Sequence, residues 1–306
     1  MTVLALTGGV GGAKLALGLA HVLEPDDLVF VVNTGDDFEH LGFHVCPDVD
    51  TLTYTLAGAA NPETGWGRTD ESWHFMEALG QLGGETWFRL GDRDLALHVR
   101  RRALLAQGRD LTEVTAVLAR SLSIRHRILP MSNDPVRTQV HTPDGPLAFQ
   151  HYFVRDRCQP TASGFDFAGA ESATVNPMIP FAGVRATVIC PSNPFVSVDP
   201  ILAVPGMCES LLETGAPVVA VSPIVGGRAI KGPTAKMMRE MGMPATTVEV
   251  ARHYVGRATH FVVDEVDAES EGRVRALGFE TAVAQTVMTS LQDRVDLARA
   301  VLDFVA

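Results

Sequence analysis

Four aspartates crowd two neighbouring turns of this chain: Asp36 and Asp37 in Asn33-Thr34-Gly35-Asp36-Asp37, and Asp48 and Asp50 in Pro47-Asp48-Val49-Asp50-Thr51. Carboxylates at that density repel one another unless a cation or a positively charged ligand shares the space, and hard oxygen donors suit a Mg2+-type ion. One of Asp48 and Asp50 is expected to cap a helix running to about Ala60, a role that occupies only one of them. His40 and His44 are spaced as metal ligands can be, although a solvated or core histidine is the more ordinary use of the residue.

The second chemical element is Thr7-Gly8-Gly9-Val10-Gly11-Gly12-Ala13-Lys14. An apolar run, Val3 to Leu6, enters it, and an apolar-periodic stretch, Ala13 to Leu23, leaves it. Strand, glycine turn and helix in that order bring backbone amides and a helix N-terminus against an anion. Lys14, in the first helical turn, opposes the macrodipole unless an anion is bound nearby. The loop lacks the Gly-Lys-Ser/Thr of a Walker loop and does not match Gly-x-Gly-x-x-Gly cleanly. It reads as a phosphate or nucleotide loop of another kind, with a closely packed strand–helix turn as the plainer alternative.

A sheet must position these groups. Asp27 to Asn33 is a second continuous apolar run of the kind buried on both faces in a parallel sheet, and it delivers Asp36 and Asp37 to the edge where ligands bind. Ala186 to Cys190, Pro217 to Val221 and His260 to Asp264 repeat the pattern, ending in turns such as Pro191-Ser192-Asn193-Pro194 and Ser222-Pro223-Ile224-Val225-Gly226-Gly227. Between them, 61–135 reads as a helical insertion with amphipathic helices over 72–82, 95–106 and 111–122. Arg137 to Val140 and Leu147 to Val154, joined by Thr142-Pro143-Asp144-Gly145, predict a β-hairpin. A helix over about 291–304 follows. The fold class expected is α/β: a doubly wound, Rossmann-like, mainly parallel sheet in a single domain over 1–306, with the helical insertion after the second strand.

The bulk properties bound the function. A net charge of −11 argues against general nucleic-acid binding. No apolar run reaches membrane-spanning length, and the N-terminus lacks the basic start of a signal peptide, so a cytoplasmic protein with no membrane partner is expected. The four cysteines are scattered and imply neither a zinc site nor a disulfide framework. Only three lysines occur, Lys14, Lys231 and Lys236, all in glycine-rich contexts. Arginine is concentrated between Arg89 and Arg137, where a solvated helix face and an anionic ligand both suit it.

Taken together, Thr7–Lys14, Asn33–Asp37, Pro47–Thr51, Leu90–Asp94, Pro130–Val136, Pro191–Pro194 and Val221–Pro233 resemble, in order, the 2-phospho-L-lactate transferases, whose bacterial members are called phosphoenolpyruvate transferases. The resemblance implies transfer of a phospholactyl or phosphoenolpyruvyl group from a guanosine diphosphate-type donor to the ribityl hydroxyl of the deazaflavin Fo. GMP is released, Mg2+ is required, and a homodimer is expected. It places the Fo contact and the chemistry on Asp50, with Asp48 as runner-up, and leaves Asp36, Asp37, Asp48 and Asp50 as metal candidates. Trp87 and Phe88 are candidates for an aromatic wall against Fo, and Arg89 and Arg93 for its chain or the donor phosphates. Core packing and an Arg–Asp pair are the structural alternatives for the aromatics and Arg93. For the donor, the resemblance points to Gly8, Gly9, Gly11, Gly12, Lys14, Asn33, Ser192, Asn193, Pro194, Gly226 and Gly227, with Lys231 to Pro233 closing over it. A non-catalytic nucleotide-binding regulator of the gluconeogenesis-factor-like branch is the competing class. It would need the glycine loop but no acceptor site beside the carboxylates.

Overall fold

The computed structural model describes residues 1–306. Strand β1 (Thr2–Thr7) runs into helix α1 (Gly9–Val22), and β2 (Leu28–Val32) leads to a small hairpin of β3 (Phe38–His40) and β4 (Phe43–Val45). Helix α2 (Pro47–Leu56) follows, then α3 (His74–Gln81), α4 (Asp92–Leu105) and α5 (Leu111–Ser121). After β5 (Arg127–Pro130) come β6 (Arg137–Thr142), β7 (Gly145–Ala148) and β8 (Gly164–Ala168), an antiparallel three-stranded sheet in the order β7-β6-β8. The chain re-enters the main sheet at β9 (Val184–Ile189), passes through α6 (Asp199–Leu202) and α7 (Met207–Glu213), and returns at β10 (Val218–Val221). A two-stranded turn, β11 (Ile224–Val225) and β12 (Arg228–Ala229), precedes α8 (Thr234–Glu240) and α9 (Thr247–His253). Strand β13 (His260–Asp264), α10 (Glu271–Arg275), β14 (Glu280–Ala284) and α11 (Leu291–Phe304) close the chain.

The main sheet has seven parallel strands in the order β14-β13-β10-β9-β1-β2-β5. It is covered on both faces, which is why its central strands are largely apolar. Val3 and Ala5 of β1 join α1 and α11 through Leu15, Leu19, Leu297 and Val301. Leu4 and Leu6 point the other way, into a core with Val140, Tyr152, Ile201 and Met237. Gly18 lets α1 and α11 close: a Cβ there would stand 2.0 Å from the Arg294 carbonyl oxygen. The chain winds outward from β1 in one direction to β5 and then from β9 in the other to β14. The winding reverses between β1 and β9, so the crevice for a ligand opens there.

Three expectations need correction. The region read as a helical insertion over 61–135 gives up residues 127–130, which form the edge strand β5 beside β2. Helix α2 ends at Leu56, and neither Asp48 nor Asp50 caps it; Cys46 is its N-cap residue, without a side-chain bond, and Pro47 occupies the first turn. The second strand of the hairpin stops at Ala148, and 151–155 coils into a short π-type turn.

Candidate functional site

At the β1/β9 reversal lies a cavity of about 510 Å3. Its lining includes Gly8, Gly9, Val10, Gly11 and Lys14 from the first turn, with Asp36, Asp48 and Asp50 beside them. The aromatic wall is made by Tyr54, Trp66, Phe88, Phe149 and Phe153. Phe149 and Phe153 stack nearly parallel, centroids 5.4 Å apart. Asn193 and Lys231 to Pro233 complete the opposite side.

The glycine turn owes part of its composition to packing. Gly11 lies under the Pro191 carbonyl oxygen, 2.4 Å from where a Cβ would sit, and Gly12 lies against Ser192 and Thr7. Ser192 accepts the Gly8 amide at 3.2 Å, tying the β1 and β9 loops across the reversal. The Gly9 amide, at the positive end of α1, donates to Asp48 Oδ1 at 2.6 Å. Asp48 therefore supplies an anion to the helix N-terminus that the sequence reading reserved for a ligand, leaving Val10 and Gly11 as the other members of that turn on the cavity.

The four carboxylates divide into two kinds. Asp37, 2% exposed, is met by His44 Nε2 at 3.1 Å and does not line the cavity. Burial would lower the His44 pKa, but its bonds to Asp37 and Glu39 outweigh that and hold it above the ordinary value. Asp50 is gripped by both terminal nitrogens of Arg101, a fully buried residue of α4. Asp36 and Asp48 have no such cation. Both take the amide of Asn33, at 3.3 and 2.9 Å, and Gln150 reaches Asp36 at 3.3 Å. Burial raises both acids, Asp48 to about 6, and Asp36 further by its proximity to Asp48 and Asp37.

A raised carboxyl makes the folded state bind protons that the unfolded chain has released, so stability falls as pH rises through the interval between the two values. In chelator, the melting temperature contributed by Asp48 is therefore expected to rise on acidification from pH 7 toward pH 5. Thermal melts of Asp48→Asn across that range should lose this gain; an unchanged profile would show that Asp48 is not the group responsible.

Several candidates fall behind or outside the cavity. Asn33 and Ser192 are buried supports, and Pro194 opens the turn that carries Val196 and Ser197 to the lining. Trp87 packs among Phe38, His40, Phe88 and His151 and does not reach the cavity; Trp66 does. His40 is buried with Nε2 3.1 Å from the Phe88 carbonyl oxygen, a core histidine. Arg89 lines the cavity with its guanidinium over Trp73. Arg93 points outward, 3.9 Å from exposed Asp70. Gly226 and Gly227, both at positive φ, build the β11–β12 turn and do not line the cavity. Lys14 lines it but donates to the Met288 carbonyl at 2.8 Å, and burial together with Arg294 and Lys231 lowers its pKa.

Leu90–Asp94 is largely a clamp. Asp92 accepts the His74 and Phe75 amides at the start of α3, while Glu71 accepts the Arg93 and Asp94 amides at the start of α4. Gly91 is required because Glu71 packs where its Cβ would be. Of its charged residues Asp94 alone turns inward, to Tyr54 and His98, beside the fully buried Leu90. Arg101, His98 and Tyr54 are absent from the sequence-based site, and Asp94 enters it only as the end of the Leu90–Asp94 stretch.

A parallel α/β crevice with a glycine turn, a carboxylate pair and an aromatic wall can take a ligand that is anionic at one end and flat at the other. Residues 3–293 match the family described as 2-phospho-L-lactate transferase CofD, and the chain belongs to that transferase family. It is 41% identical over 310 residues to the phosphoenolpyruvate transferase of Streptomyces coelicolor, covering 99% of this chain and 97% of that one. It is 36% identical over 322 residues to the phosphoenolpyruvate transferase of Mycobacterium sp. strain JLS, covering 98% and 97%. A crystal structure of a UPF0052 family protein from Bacillus halodurans shares the fold, with a TM-score of 0.64 and 17% identity over 98% of each chain. No single helix is long and apolar enough to cross a membrane.

Proposed function

We propose that this transferase moves a phosphoenolpyruvyl or phospholactyl group from a guanosine diphosphate-type donor to the ribityl hydroxyl of Fo, releasing GMP. In that reaction the hydroxyl oxygen forms a bond to the transferred phosphorus. The bridging P–O bond breaks with its electron pair going to GMP, and the hydroxyl proton leaves. The observation that carries the reading is the Asp36–Asp48 pair, buried on one Asn33 amide without a cationic side chain and open to the cavity. Two buried acids in that state fit a divalent cation bound through oxygen, with Asp36 and Asp48 as its holders; Asp50 is already paired with Arg101, and Asp37 lies outside the cavity lining. Such an ion supplies neutralisation of the donor's diphosphate charge.

The remaining residues serve placement. Val10 and Gly11 offer the first turn of α1 to the donor phosphates, and Lys14 and Lys231 add positive charge at that end. Asn193 stands on the nucleotide side. The stacked Phe149–Phe153 pair, with Phe88, gives the flat Fo ring an apolar face, and Asp50 meets its hydroxyl chain. Incubation with Fo, Mg2+ and each guanosine donor in parallel tests this: the expected result is phospho-linked deazaflavin and GMP in equal amounts. No product from either donor, alongside tight nucleotide binding, would replace the transfer reading with that of a nucleotide-binding regulator.

A further inference from the structure

Along one wall of the cavity runs a set of polar side chains of which the proposed reaction uses only Asp50. Asp94, His98 and Arg101 lie on one stripe of α4, and Asp50 and Tyr54 on one stripe of α2, at helical spacing. The two stripes face each other. Tyr54 Oη donates to Asp94, whose Oδ1 stands 3.3 Å from His98 Nε2. His98 Nδ1 stands 3.1 Å from Arg101 NH1. An arginine has only donors, so Nδ1 is the acceptor there and Nε2 carries the hydrogen, close to Asp94 but without a well-aligned hydrogen bond to it. Arg101 then forks onto Asp50, with NH1 at 3.0 Å from Oδ2 and also reaching the His44 carbonyl at 3.3 Å. Asp50, Tyr54, Asp94 and His98 line the cavity, whereas Arg101 does not. A fully buried arginine is costly to desolvate, and its fork is matched to one carboxylate in one orientation.

We propose that Arg101 is a positioning residue of this site. It fixes the orientation of Asp50, with His98, Asp94 and Tyr54 as its frame, and neutralises that carboxylate. The inference rests on the preceding reading in one respect, that Asp50 meets the acceptor.

A double-mutant cycle of Arg101→Met and Asp50→Asn, read by thermal unfolding and by turnover, tests it. In the unfolding arm Arg101→Met lowers the melting temperature and adding Asp50→Asn recovers part of the loss, because the stranded carboxylate is removed. In the turnover arm Arg101→Met lowers kcat about 10²-fold in the wild-type background but no more than about twofold in the Asp50→Asn background, with the donor KM held within about twofold. Arg101→Lys keeps the charge without the fork and falls between; it carries both arms if the methionine variant does not fold. Equal losses in the two backgrounds, or wild-type turnover in Arg101→Met, overturn the inference. If the wild-type chain transfers nothing, the functional reading fails, while an uncoupled unfolding cycle still overturns the role of Arg101.

Discussion

Replacing Asp48 by asparagine is expected to remove all but about one part in 10³ of turnover while leaving the chain folded. The residue stands at the meeting point of three elements: Gly9 at the start of α1, Asn33 at the end of β2, and its own place in the first turn of α2. An asparagine oxygen still accepts the Gly9 amide, so the loop keeps its anchor. What disappears is one of the two negative charges that no side chain neutralises. Asp36→Asn should behave alike, because the two acids share one amide and one environment. Turnover measured across a Mg2+ titration checks the idea. Activity of Asp48→Asn within about tenfold of wild type at saturating Mg2+ would take the cation away from this pair and move it elsewhere in the cavity.

Gly11→Ala should act on folding before it acts on chemistry. Its Cβ would lie 2.4 Å from the Pro191 carbonyl oxygen, a backbone atom held by β9 and unable to rotate aside. Relief requires the β1 and β9 loops to separate at the point where Ser192 ties them, and overpacking of this kind costs about 1–3 kcal/mol or more. Gly272→Ala is the control, since nothing lies within 4 Å of its Cβ and it sits in the first turns of α10. It should be neutral or mildly stabilising, as alanine for glycine in a helix is. Urea unfolding of the two variants side by side gives the answer; a Gly11→Ala chain as stable as wild type would return that glycine to a purely ligand-facing role.

The same contact explains what could be read from the sequence and what could not. Strands buried on both faces announce themselves as unbroken apolar runs, so β1, β2, β9, β10 and β13 were legible, and their order along the chain implied the winding. Strand β14 was not, because it forms the sheet's edge and none of its five residues is fully buried, so it shows neither an unbroken apolar run nor an alternation. Strand β5 is four residues ending in a proline, and β3 and β4 are three residues each, too short to show a period. At the site, carboxylate density singled out the two loops that bring Asp36, Asp48 and Asp50 to the cavity, since charge repulsion depends on local sequence. Their division into neutralised and open pairs depends on partners far along the chain. Arg101 hides in Arg100-Arg101-Arg102, which reads as a solvated face; the available signal was the stripe of Asp94, His98 and Arg101 on one helix. Whether Trp87 or Trp66 faces the ligand depends on loop paths that carry no periodic pattern.

Lys14 ends on the carbonyl of Met288, 274 residues further along the chain. The first glycine turn is thus seated by the loop that follows β14, the strand at the far edge of the sheet. Thr286, Val287 and Met288 supply one side of the cavity as well. One wall of the site therefore depends on a segment far along the chain from the turn it completes, and a displacement of the loop after β14 would unseat Lys14 and open the cavity on that side.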